Sequence, residues 1–125
     1  GLSRRWAATF DLPMRADEPL PQGIHFALCV PDAPTKMLGG DGHPRRYGDA
    51  ADPLPPVPLP RRMWAGSRID FHKPIAAGAA IERTSRVAAI SEKEGSSGRL
   101  VFVELDHATS ADGQLAVKER QTLVY

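Results

Sequence analysis

The chain has 125 residues, a net charge of +1 and 42% hydrophobic residues, enough for one domain with a real core and no disulfide or metal staple. That charge balance excludes a protein whose main task is coating nucleic acid, which needs a strong basic excess. No apolar run approaches the roughly 20 residues of a membrane helix, and the single cysteine, Cys29, cannot form an internal disulfide, so a reducing, cytoplasmic setting is expected.

Leu2 to Phe10 is too polar for the apolar stretch of a signal peptide. The chain opens at Gly1 rather than Met, which leaves room for residues upstream. Leu2, Trp6 and Phe10 recur every four residues, which predicts a short helix over residues 3–10 with Ser3 as its N-cap. Leu12-Pro13 stops it, because the residue before proline avoids the helical region. Gly23 to Val30 is the most apolar stretch of the first half, bounded by Pro21 and Pro31. A strand and a helix both fit it, and the shared face of Ile24, Ala27 and Leu28 favours a short helix. Residues 31–62 read as irregular, with a turn cluster at Gly39-Gly40-Asp41-Gly42 and five prolines between Pro53 and Pro60 in extended, polyproline-like chain.

From Ser67 the pattern changes to strands. Ile69 and Phe71 alternate with Arg68, Asp70 and His72, and a turn at Pro74 and Gly78 follows. Longer strands are expected over 80–91, 99–109 and 114–125. A loose connection at Glu94 to Gly98 separates the first two, and the Asp112-Gly113 hairpin separates the last two. The expectation is α+β: one domain over 1–125, with a helix and Pro-rich loop region at 18–66 and an antiparallel strand meander at 67–125.

Phe71-His72-Lys73-Pro74-Ile75-Ala76-Ala77-Gly78 resembles the F-x-x-P-(hydrophobic)-x-x-G turn of MaoC-like hotdog hydratases, a turn that hotdog thioesterases share. Asp41-Gly42-His43-Pro44 and Leu54-Pro55-Pro56-Val57-Pro58-Leu59-Pro60-Arg61-Arg62-Met63-Trp64-Ala65-Gly66 narrow the resemblance. They look like the N-terminal half of the double-hotdog dehydratases, relatives of mesaconyl-CoA and itaconyl-CoA hydratases and of type 2 hydroxyacyl-thioester dehydratases. Glu92 to Gly95 and Leu100 to Val103 agree; the likeness is weakest before residue 18 and at Tyr47 to Asp52. It implies a hotdog fold, a curved antiparallel sheet wrapped on a central helix. It also implies an acyl-CoA (enoyl-thioester) hydratase or 3-hydroxyacyl-thioester dehydratase, with coenzyme A carried by the substrate and no other cofactor.

The catalytic Asp and His of that family resemble D-x-x-x-x-H or N-x-H-R-I-H patterns in the C-terminal hotdog, and neither pattern occurs here. The chain stops at Leu123-Val124-Tyr125, where a first hotdog would end. The resemblance therefore implies a substrate-shaping half that needs a second hotdog domain or a homodimer partner. The alternatives are a single-hotdog acyl-CoA thioesterase using a loop carboxylate, and a non-catalytic acyl-CoA-binding or scaffold subunit.

The chain's own catalytic candidates are Asp41 and His43, whose plainer reading is a turn held by the Asp side chain. Asp70 and His72 read as a solvent-facing pair, His107 as a satisfied, partly buried histidine, and His25 and Cys29 as core. Arg45, Arg46, Arg61, Arg62, Arg68 and Lys73 concentrate positive charge. Arg61 and Arg62 are the best candidates for coenzyme A phosphates, since arginine binds phosphate in bidentate geometry. Trp64 is a substrate-binding candidate by stacking, against a plainer reading as packing at the sheet entrance. No Cys/His cluster has zinc-ligand spacing, so no metal is expected. The proline run fits an SH3 ligand poorly, because Pro60 stands where a basic residue belongs.

Overall fold

The computed structural model describes residues 1–15, 17–45, 54–59 and 61–125. A helix α1 (Leu2–Thr9) is followed by two single turns of 3-10 helix, Ile24–Ala27 and Thr35–Met37. Four strands come next: β1 (Met63–Phe71), β2 (Ile81–Gly95), β3 (Gly98–Ala111) and β4 (Gln114–Val124). They form one antiparallel sheet in the order β1-β4-β3-β2. Among the described residues no helix is long and apolar enough to cross a membrane.

The alternating stretches become strands, and the Asp112-Gly113 hairpin closes as expected, while the connection expected to be loose is a tight turn between Gly95 and Gly98. Asp112 and Gly113 have φ of 49° and 77°, the two positive angles that match the right-handed twist of the flanking strands. The strand order departs from a meander. β2, β3 and β4 follow one another as hairpins, but β1 joins β4 instead of β2. β1 also begins at Met63, ahead of the expected Ser67.

Two helical expectations change. The N-cap of α1 is Gly1, with no side-chain cap bond, so Ser3 lies inside the helix. The apolar stretch from Gly23 makes a single 3-10 turn in place of the expected short helix. Gly23 enters it in the left-handed region at φ 95°, Cys29 leaves it at φ 53°, and Pro21 and Pro31 bound what remains. Cys29 lies past the end of that turn, beyond the extended Leu28, and so outside its periodicity. His25 is accordingly buried while Cys29 is exposed, which corrects the reading of Cys29 as core.

The chain clusters into two compact units. The first comprises Gly1–Val30, Ile69–Thr84 and Ala108–Lys118. Its core is Ile75, Ala116 and Val117, with Leu20, Leu28 and Ile69 packed against them. The rings of Trp6 and Phe10 in its N-terminal segment meet at 4.9 Å with their planes tilted by 51°. The second unit comprises Pro31–Arg68, Ser85–His107 and Glu119–Tyr125. Val101, Val103, Leu105, Leu123 and Tyr125 form its core, covered by Leu54, Val57 and Leu59. The described part of the proline run is therefore a core cover: extended chain presents its aliphatic side chains to the sheet without a helix. Each fully buried Val or Leu contributes about 1.5–3 kcal/mol.

Candidate functional site

In the second unit a groove is lined by residues of the Gly39–Arg45 loop, by Pro56, Val57 and Leu59, and by Arg61 and Arg62. It brings together four of the five expected site residues: Asp41, His43, Arg61 and Arg62. Arg45 joins them, while Arg46 lies outside the described residues.

The loop is built by its own backbone. Leu38 and Pro44 form an isolated antiparallel bridge, and the N–H of Gly39 donates to His43 O at 2.7 Å. The Asp41 carboxylate accepts the His43 N–H at 3.1 Å, a local side-chain turn of the kind Asp makes readily. Its other oxygen lies 3.3 Å from His43 Nδ1. The His43 N–H chiefly holds the Asp41 carboxyl below the ordinary carboxylate range. A Cβ at Gly39 would stand 2.9 Å from Asp41 Oδ1, so only glycine fits there without displacing the carboxylate. Asp41 and His43 are thus engaged with each other in holding the turn. Arg45 Nε donates to Leu38 O at 3.0 Å, which aims its guanidinium from the same loop. Arg62 is half-buried and Arg61 exposed. Among the described residues neither has an ion-pair partner. The groove therefore presents three guanidinium groups and one engaged carboxylate, an arrangement suited to an anion with several oxygens.

Trp64 does not line the groove. It is exposed on β1, with its Nε1–H donating to Ser67 Oγ at 3.0 Å. The Ser67 hydroxyl donates in turn to the buried Glu119 carboxylate at 2.6 Å. Glu119 escaped the sequence reading, although it alternates with Val117, Gln121 and Leu123 along β4, the period that marks a buried face. His107 is buried and bonded on both ring nitrogens, to Ser85 Oγ at 2.6 Å and Gln121 Oε1 at 2.9 Å. It is the satisfied histidine that its place on the strand suggested. Asp106 was also missed. It is buried and bridges Arg120, at 2.7 and 2.9 Å, and Arg86, at 3.0 Å. Its carboxylate raises the pKa of Arg120.

In the first unit a separate cavity of about 280 Å³ lies beside the Phe71–Ile75 turn. His25, His72 and Lys73 line it. His72 falls just past the end of β1, and its N–H donates to Ala116 O at 2.8 Å. Asp70 is exposed and lines neither site.

A four-stranded antiparallel sheet with one α-helix and this loop-built groove define an α+β chain of the hotdog class. A chain of the ChsH1–ChsH2 complex of Mycobacterium tuberculosis shares that fold, with a TM-score of 0.56 over 98% of this chain and 75% of that one, at 12% identity. Residues 23–125 match the family hydroxyacyl-thioester dehydratase type 2, and the chain belongs to that family. It is 40% identical over 122 residues to the mesaconyl-C(4)-CoA hydratase of Chloroflexus aurantiacus, covering 95% of this chain and 42% of that protein. The chain thus spans about two-fifths of the length of this relative.

Proposed function

We propose that the chain is the substrate-shaping half of an acyl-CoA hydratase. The reaction adds water across an α,β-unsaturated thioester, or removes it from a 3-hydroxyacyl thioester. The observation that carries this reading is the 40% identity to a mesaconyl-C(4)-CoA hydratase across nearly the whole chain. A mesaconyl thioester is accordingly the first substrate to try. In this reading the Asp/His pair that holds the water and moves its proton belongs to a second hotdog, either in the same polypeptide or in a partner subunit. The engagement of Asp41 with the His43 N–H supports assigning these two residues to shape and not to proton transfer.

The groove of the second unit takes the phosphates of coenzyme A, through Arg61 and Arg62 with Arg45 beside them. Arginine suits this task because its planar donors meet phosphate oxygens in pairs. Trp64 offers an aromatic face for stacking, with its ring orientation fixed through Ser67. Coenzyme A enters as part of the substrate, and no metal or other cofactor takes part. The lone cysteine fits a cytoplasmic setting.

Loss of enoyl-thioester absorbance with mesaconyl-CoA or crotonyl-CoA tests the activity in the full-length protein. Arg61→Ala with Arg62→Ala raises KM for the CoA ester by about tenfold or more, and the matching pantetheine thioester, which lacks the nucleotide phosphates, is spared. Release of free thiol without hydration would instead mean a thioesterase. Coenzyme A binding with neither reaction would mean a scaffold subunit.

A further inference from the structure

Glu119 is 6% exposed. It alternates along β4 with Val117 and Leu123, which are buried as well. An apolar side chain at this position would join them without the cost of taking a carboxylate out of water, and such a replacement is often neutral or stabilising. Packing therefore does not account for an acid here.

The contacts of this acid run outward. Ser67, on the neighbouring β1, donates its hydroxyl to Glu119 Oε1 at 2.6 Å. Trp64 Nε1–H donates to the same hydroxyl oxygen at 3.0 Å. A hydroxyl that gives its proton to a carboxylate keeps its lone pairs for another donor. The buried acid thus sets the direction of a chain of bonds that ends on Trp64, whose side chain is 57% exposed. An untethered surface tryptophan samples several rotamers, and ordering it on binding weakens a complex. Here the ring is tethered in advance.

Trp64 also has a neighbour with a defined place. Arg62, which lines the loop groove, stands two residues earlier, so the two backbones lie within about 7 Å. An indole face suits a base, and a guanidinium suits a phosphate. Side by side they suit the two ends of one nucleotide.

We propose that Glu119 is a positioning residue: through Ser67 it fixes the Trp64 indole as the platform on which the adenine of coenzyme A stacks. The proposal rests on the coenzyme A reading given above and gives a role to a residue that does not touch the ligand. Its effect is confined to the nucleotide end and leaves the thioester end alone.

The test uses the full-length protein. Adenosine 3′,5′-bisphosphate probes the nucleotide end by calorimetry, and mesaconyl-CoA is compared with its pantetheine ester in turnover. Ser67→Ala should weaken the bisphosphate Kd about threefold or more and raise KM for the CoA ester to match, with kcat and the pantetheine ester unchanged. Glu119→Leu should reproduce that loss. Glu119→Gln and Ser67→Thr keep the acceptor and the hydroxyl, and should stay within about twofold of the parent. Trp64→Ala should cost about tenfold. Adding Ser67→Ala to it should cost nothing more, because Ser67 acts through the ring. In NMR the Trp64 indole N–H signal should move in Ser67→Ala and Glu119→Leu and hold in Ser67→Thr. Three results overturn the proposal and leave the hydratase reading standing: Ser67→Ala binds the bisphosphate as the parent does, it loses as much without Trp64 as with it, or it raises KM for the pantetheine ester equally. Normal bisphosphate binding by Trp64→Ala does the same. Should coenzyme A bind without turnover, the hydratase reading falls and the binding arms alone decide. A protein that neither binds coenzyme A nor hydrates either ester overturns both. If Glu119→Leu does not fold, the serine variants decide.

Discussion

β2 and β3 are neighbours of 15 and 14 residues, yet they are buried very differently. β2 has no fully buried residue, whereas β3 buries Val101, Val103 and every residue from Leu105 to His107. β3 has a strand on each side and β2 has one. The consequence is chemical as well as steric. A polar side chain at the centre of the sheet must find its partner across a strand, and Asp106 and His107 each find one on both neighbours. Both side chains are thus engaged in holding the sheet together. The side chains left for ligands lie in the loop groove and in the cavity beside the Phe71 turn.

Substitutions along the two strands can break or sharpen this contrast. Val103, 0% exposed, should show the largest effect: Val103→Ala costs about 2 kcal/mol, read as a lower urea midpoint. Asp106→Ala removes a buried carboxylate that serves two arginines and is expected to cost about 1–2 kcal/mol in the same assay. A double-mutant cycle with Arg120→Ala should show coupling between the two sites. Ser85→Ala takes away the hydroxyl beside His107 Nδ1 and costs about 1 kcal/mol, with the His107 ring signals moving in NMR. On β2, Ile90→Thr changes an exposed position and should stay within about 0.5 kcal/mol of the parent. A loss at Ile90 as large as that at Val103 would erase the distinction between edge and centre.

The smallest expected effect concerns pH. The folded pKa of Asp41 is lowered, so its turn is supported above the pKa of the unfolded chain. The support is lost as pH falls through the folded value, below the ordinary aspartate range of about 4. A carboxyl titration followed by NMR should place Asp41 below an unfolded-peptide reference, and Gly39→Ala should move it back up.

Legibility in the sequence followed the range of the interaction. Alternation revealed the strands, and Asp112-Gly113 revealed the last hairpin, because both signals are local. The pairing of β1 with β4 depends on contacts far apart in the chain and left no local mark. The Gly23 to Val30 stretch misled because its apolar spacing fits a helix, while Gly23 and the backbone at Cys29 allow only one turn. Of the expected site, the motifs picked out Asp41, His43, Arg61 and Arg62, which fold into one groove, but nothing in their spacing foretold it. Glu119 and Asp106 were passed over because an isolated acid in a strand usually faces water. Their cross-strand partners, Arg86 and Arg120 for Asp106 and Ser67 for Glu119, are far away in the sequence.

The pairing of β1 with β4 also sets an order in time. Ser67 and Glu119, joined by a hydrogen bond, are 52 residues apart. At ribosomal rates of about 5–20 residues per second, β1 is complete roughly 3–10 s before its partner strand exists. During that interval β1 is an unpaired strand carrying the exposed Met63 and Trp64. The hairpins of β2, β3 and β4 can close as they are made, so the first strand synthesised is the last to be paired.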